Sequence, residues 1–429
     1  MQFPRLLLVR QNLPSRRIPD IPAEVRKQLS ALGLAGRLKP KARVAIGVGS
    51  RGIHNLAVIV RNVVGYWKDA GIDPFIFPAM GSHGGATAAG QADVLAHYGV
   101  TEAAMGCPIV SQLEVVSLGK TEEGIEVFMD KAAYQADATM LVNRVKWHTD
   151  FEAGIESGLC KMAAIGIGKL AGAQRYHAHG YRMGLGKVVL AAGRHAIGSG
   201  KIIGGVAIVE DAYHDTARID VIPVEELEQR ERENLALAKS WMAKIPVDLD
   251  ILTVDAIGKE ISGTGMDTKV VNRTVLGAYN PWPGLAIIRR IFVRELSPLS
   301  YGNGLGIGMA DMVTDRLVDS INWEATRVNA LTSTSLGGAH LPLHFPTDRE
   351  CIERLTPTVG RFDPMDVTFG WIRNSLELTS LALSANLRAE IERNPLLAIE
   401  GETDLDFDAS GNLLSPFEME SSAVGARLK

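Results

Sequence analysis

Apolar and polar positions alternate along this chain in two rhythms. Short apolar runs that stop at a glycine turn predict buried strands at "ARVAIGVGS" (42–50), "DPFIFPAM" (73–80), "ATMLVNRVKWH" (138–148) and "KIIGGVAIVED" (201–211). Between them lie stretches with helical apolar spacing. These are "HNLAVIVRNVVGYWKDAG" (54–71), "ATAAGQADVLAHYG" (86–99) and "GLGKVVLAAGRHAIG" (184–198). "LEVVSLG" and "IEVFMD" add strands, and the opening "MQFPRLLLVRQNLPSRRIP" reads as a strand rather than a signal peptide. Strands alternating with helices predict crossover units on a mostly parallel sheet, with ligands at the carboxyl ends of the strands.

The pattern then changes. "PVEELEQRERENLALAKSWMAKIP" (223–246) predicts a long, charged surface or connecting helix. "LDILTVDAIG" (249–258) begins a second α/β region, which continues through "AIIRRIFVREL", a helix at "MADMVTDRLVDSI" and "DVTFGWIRNSLELTSLALS". The expected fold is therefore α/β, with two α/β domains, largely parallel sheets and an active-site cleft between them. The first domain spans 1–245 and carries the chemistry. The second spans 246–415 and contributes substrate contacts. Residues 416–429 form a polar tail.

A chain of 429 residues suits two cores better than one. The net charge of −4 gives no electrostatic case for nucleic acid or an anionic membrane. No apolar run approaches the ~20 residues of a membrane span. Cys107, Cys160 and Cys351 are too scattered for a disulfide framework or a cysteine zinc site, which fits a cytoplasmic protein.

Three stretches put histidines in company that suggests chemistry. "GSHGGAT" holds His83 in a glycine turn after a strand. "NRVKWHTDFEAG" holds His148 at a strand end. "SGLCKMAAIGIGKLAGAQRYHAHG" holds Lys161, Lys169, His177 and His179. All three follow strand ends or lie in glycine-rich loops, so one cleft can gather them. On an extended segment the two rings of "YHAHG" would face opposite ways. Lys161 either reaches outward along its stem or is a buried, reactive amine. "GVGSRGIH" joins a strand to a helix, where backbone amides with Ser50 and Arg51 can hold a phosphate or carboxylate. His97, His195, His214, His340 and His344 read as structural. "GNGLGIG" (302–308), ahead of the expected helix, is a weak dinucleotide candidate that departs from G-x-G-x-x-G. "GKEISGTGMD" is a substrate loop, offering Lys259, Ser262, Thr264 and Asp267, or a tight connection.

The order and spacing of His83 in "GSHGG", His148, Lys161 in "GLCK" and His177 resembles the lactate racemase family that uses a nickel-pincer nucleotide. The resemblance covers residues 40 to 200 well and the rest in outline. It implies a nickel-pincer nucleotide joined covalently to Lys161. His177 would be the metal ligand, with His179 as the near alternative, and Ser50 and Arg51 would bind the cofactor. His83 and His148 would serve as acid and base. The implied reaction is racemisation or epimerisation of a small-molecule 2-hydroxy acid by reversible hydride transfer. In its first loop the chain keeps only Arg51 of the family's usual residues, with Ser50 beside it, and it lacks the family's tyrosine–glutamine pair in the second domain. These departures point to a 2-hydroxy acid larger than lactate or differently charged. The readings from other classes are a metal-dependent hydratase or lyase with His83, His148 and His177 as direct ligands, and a noncatalytic nucleotide- or metal-binding protein.

Overall fold

The structure, a computed structural model, describes residues 1–49, 52–149 and 151–417. The chain forms β1 (Leu6–Gln11), β2 (Arg43–Val48), β3 (Asp73–Pro78), β4 (Val115–Lys120), β5 (Glu126–Asp130), β6 (Ala138–Arg144), β7 (Ile202–Glu210) and β8 (Thr216–Pro223). It continues with β9 (Leu249–Ile257), β10 (Ile288–Leu296), β11 (Met312–Thr314), β12 (Leu343–Phe345), β13 (Phe369–Ile372), β14 (Ser380–Ser384) and β15 (Leu397–Thr403). It divides into two compact units, Pro14–Met242 and Met1–Leu13 with Ala243–Lys429.

The unit 14–242 is built on a five-stranded sheet in the order β3-β2-β6-β7-β8, parallel except for the final β7–β8 pair. Successive strand residues point to opposite faces, and here both faces are covered. Val44, Ile46, Val48, Met140 and Val142 pack on one side with Val25 and Leu29 of the helix Ile21–Leu32 and Ile59 and Val63 of the helix Leu56–Asp69. Ala45, Phe77, Leu141 and Ala207 pack on the other with Leu159, Val188, Val189, Ala192 and Leu235. Two-sided burial explains why these strands read as continuous apolar runs rather than alternating ones. β4 and β5 form a separate antiparallel pair.

The other unit holds an eight-stranded sheet, β12-β11-β10-β9-β13-β14-β1-β15. Its first five strands are parallel neighbours and the remaining pairings are antiparallel. Buried Arg294 ties its layers together. It donates to Asp255 at 2.6 Å, to Asp348 at 2.9 Å and to the carbonyl of Leu413 at 2.9 Å.

The α/β class and the two largely parallel sheets agree with the sequence pattern. Four details differ. The expected first domain began at residue 1, but β1 pairs with β14 and β15, so residues 1–13 belong with the C-terminal unit. Leu6, Leu7 and Val9 are buried, and such a strand needs a neighbour on each edge and cover on each face. The expected helix at "MADMVTDRLVDSI" is instead β11 followed by the short helix Asp315–Asp319, capped by Thr314. Three buried strand residues are too few to show a period. The charged helix is Leu227–Trp241, and it is not simply a surface element: Glu231 and Asn234 are buried. The expected polar tail 416–429 begins with Phe417, which is buried against Trp371; residues 418–429 lie outside the described residues. No helix among the described residues is long and apolar enough to cross a membrane.

Candidate active site at the carboxyl ends of the parallel strands

β2 has β3 on one side and β6 on the other, so the chain reverses its direction of travel across the sheet between β2 and β6. Such a switch point leaves a crevice outside the carboxyl ends of the strands. The loops after β2, β3 and β6 all start at this edge, and so does the glycine-rich stretch that carries Lys161. Gly49 lies so close to Asn143 and Met162 that a Cβ would meet the Asn143 side chain at 2.3 Å. The Asn143 amide donates to the carbonyl of Gly158 at 3.1 Å.

After β3, the turn at His83 is held by backbone contacts that need glycine. Gly84 has φ +62°, and a Cβ on it would meet the Gly90 backbone at 2.5 Å. The turn therefore packs directly on the start of the helix Ala88–His97, which Thr87 caps by accepting the Gly90 amide at 3.0 Å. The side chain of Gln91, wholly buried, donates to the carbonyls of Gly81 at 2.8 Å and His83 at 3.3 Å. His83 itself is half-buried.

After β6, Glu156 holds the backbone on both sides of residue 150. Its buried carboxylate accepts the amides of His148 at 2.9 Å and Ala153 at 3.1 Å and pairs with Lys239 at 2.6 Å. This fixes the backbone of His148. The His148 ring stacks on Phe151, with centroids 4.2 Å apart and planes inclined by 35°.

The segment expected to be a glycine-rich loop is helical. It runs Gly158–Lys161, then a π-helical turn Met162–Gly166, then the helix Lys169–Met183. π-Helical turns occur often at functional sites. Glu231, fully buried, accepts the amides of Leu159 at 2.5 Å and Cys160 at 3.0 Å at the start of this segment. Burial pushes the Glu231 carboxyl up to about 8. Lys161, at the end of the first turn, is half-buried with its ammonium 5.5 Å from the centre of the Phe151 ring. Of the two sequence alternatives for Lys161, neither is met in full: the fully buried amine of this segment is Lys169.

His148 and Lys161 thus meet on one aromatic ring, and the His83 turn lies against the same π-helical turn. The Gly81 amide donates to Gly166 at 3.2 Å, and Ile165 sits beside Gly81. His177 and His179 are both half-buried on the helix Lys169–Met183, not on an extended segment. At roughly 100° per residue they still face different sides of it. Ser50 and Arg51 lie outside the described residues. Beyond them, Arg144 donates to the Gly52 carbonyl at 2.9 Å and pairs with Glu210, which accepts the His54 amide.

Among the described residues, no group of three or more histidines, cysteines and carboxylates is set to hold a metal ion. His195, read as structural, contacts the Leu118 carbonyl at 2.9 Å, and His344 pairs with Asp315 at 2.6 Å.

The C-terminal candidates are tied into the fold by their own hydrogen bonds. Thr264 bonds Ser262 at 3.0 Å and the Met266 carbonyl at 2.6 Å, and Lys259 donates to the Gly263 carbonyl at 2.6 Å. The "GNGLGIG" segment (302–308) runs into a short 3₁₀ turn, Ile307–Met309, and then into β11 rather than directly into an α-helix. A Cβ on Gly306 would meet the Thr264 carbonyl at 2.0 Å, so glycine there permits a close backbone-to-backbone contact.

Sequence reasoning missed Gln91, Asp130, Phe151, Glu156 and Glu231. Glu231 carried a signal. It falls between Leu227 and Leu235 on the buried stripe of its helix, where a charge has to be satisfied from within the protein.

No known family profile matches the chain, and no curated protein sequence matches it. Solved structures do. One is the crystal structure of a Thermotoga maritima protein, a target of the Northeast Structural Genomics Consortium. It is 13% identical with a TM-score of 0.53, covering 86% of this chain and 99% of that one. Another is the lactate racemase apoprotein of Thermoanaerobacterium thermosaccharolyticum. It is 12% identical with a TM-score of 0.49, covering 87% of this chain and 99% of that one. The likeness to the Thermotoga maritima protein is one of fold.

Proposed function

We propose that the chain is a racemase or epimerase of a 2-hydroxy acid that works with a nickel-pincer nucleotide tethered to Lys161. The observation that carries this reading is the shared Phe151 ring, with the His148 ring 4.2 Å from its centre and the Lys161 ammonium 5.5 Å from it, at the strand edge that also bears the His83 turn. The sequence order His83, His148, Lys161, His177 supports it independently.

The residues present fit the group. A half-buried amine at the end of a helical turn, with an aromatic face beside it, suits a covalent tether to a planar ring. A pincer brings its own soft donors, so one imidazole, that of His177, is enough from the protein. When bound, the cofactor supplies the acceptor for the α-hydrogen of the substrate.

The chain's own residues handle protons and position. His83 and His148 come from loops that follow different strands, so they can approach a substrate from two sides. One imidazole takes the hydroxyl proton while the other stands protonated, and the roles exchange in the reverse direction. Glu156 and Gln91 fix the two backbones that present them.

Incubating single enantiomers of chiral 2-hydroxy acids with the holoenzyme in heavy water tests the reading. The opposite enantiomer should appear with its α-hydrogen retained, because that hydrogen never enters solvent. Deuterium at the α-carbon of the product would mean proton abstraction and would overturn it.

A further inference from the structure

The His83 turn is held from a distance by a buried lysine. Lys169 stands at the exit of the π-helical turn with φ +54°, a left-handed conformation unusual for a side chain of this size. Its side chain is wholly buried. The ammonium donates to the Pro78 carbonyl, the last residue of β3, at 2.8 Å. It donates to the Gln91 side-chain carbonyl at 2.6 Å. Asp130, at the end of β5, lies 3.8 Å away; its other oxygen already accepts the amides of Ala132 and Ala133, at 2.9 and 3.1 Å, and the Gln112 side chain, at 3.2 Å. Gln91 then uses its amide nitrogen on the carbonyls of Gly81 and His83.

An interior ammonium is costly unless its donors are met, and a hydrophobic residue would fill the same space at less cost. The strained backbone at Lys169 adds to that cost. What the ammonium holds in return is the end of β3 and, through Gln91, the two carbonyls that bracket His83.

We infer that Lys169 is a positioning residue for His83, acting through Gln91. The ammonium fixes the orientation of the Gln91 amide, so that its nitrogen, and not its oxygen, faces the turn. It also pins the end of β3, from which the turn departs. As a statement about catalysis this rests on the acid–base role proposed for His83; as a statement about the turn it does not.

The test compares Lys169→Met and Gln91→Glu with the wild-type full chain. Gln91→Glu keeps an acceptor for Lys169 and removes both donors to the turn. Backbone amide exchange over residues 80–86 and the rate at which diethyl pyrocarbonate modifies His83 are read first, since neither needs the cofactor. Both variants should raise exchange in the turn about tenfold or more, leave β7 protected as in the wild type, and change the His83 modification rate. In holoenzyme with Lys161 loaded, kcat should fall about 10- to 100-fold with KM within about threefold. If Lys169→Met does not fold, Gln91→Glu carries the test. Unchanged exchange and His83 reactivity in the folded variants would overturn the inference. A loosened turn with no activity in the wild type would support it while counting against the proposed reaction.

Discussion

The Glu231 carboxylate accepts the Leu159 amide at 2.5 Å, at the first turn of the helical segment whose fourth residue is Lys161. A buried acid thus supplies the cap that a short helix start lacks. It comes from the helix Leu227–Trp241, so that charged helix orients the lysine of the proposed tether.

This contact has a pH signature. Unfolded, Glu231 releases its proton near the ordinary 4.5; folded, near 8. Between these values the folded chain holds the extra proton, so the contribution of Glu231 to stability falls as pH rises through the window and is flat on either side. Glu231→Gln removes that titration. Denaturant unfolding from about pH 5 to pH 9 should show the wild type losing stability against the variant, on the order of a few kcal/mol, since each tenfold in a protonation equilibrium is about 1.4 kcal/mol. Parallel curves for the two proteins would contradict the burial argument.

His83→Asn and His148→Asn should each lower kcat by roughly 10²- to 10⁴-fold, the usual range for a positioned acid or base. Mass measurement should still find Lys161 loaded in both. Loss of loading in either would instead mark that histidine as part of cofactor binding.

Phe151 joins His148 to Lys161, so Phe151→Ala should disturb both at once. We expect kcat/KM to fall on the order of tenfold or more, as misplacement of reacting groups usually costs. Phe151→Tyr keeps the ring and should stay within about threefold of wild type.

Gly84→Ala meets both a left-handed φ of +62° and the Gly90 backbone at 2.5 Å. It should destabilise the unit by roughly 1–3 kcal/mol in equilibrium unfolding. Gly85 shares a positive φ but has open space at its Cβ, so Gly85→Ala should cost less. Equal effects would show that backbone strain, not the contact with Gly90, dominates.

Much of this was legible in the sequence. The strands Arg43–Val48, Asp73–Pro78 and Ile202–Glu210 end within two residues of the apolar runs that predicted them, because two-sided burial leaves a strong local signal. His83 stood out because its glycines serve a contact of backbone on backbone. What escaped was non-local. β1 finds its partners about 370 residues later, at β14, which no pattern within "RLLLVRQ" can show. Gln91, Asp130 and Lys169 lie far apart in the chain, and only the fold makes them one cluster. "GKLAGAQRYHAHG" looked like a loop because its glycines obscured a helix. Those glycines let Tyr176 pack close: a Cβ on Gly172 would meet its ring at 2.9 Å.

The proposed reaction depends on the tether at Lys161. The most direct measurement is the intact and peptide mass of the protein purified from its native host, with metal analysis of the same sample. A tethered cofactor gives a mass excess confined to the Lys161 peptide and about one nickel per chain. An unmodified Lys161, in cells shown to be making the cofactor, would contradict it.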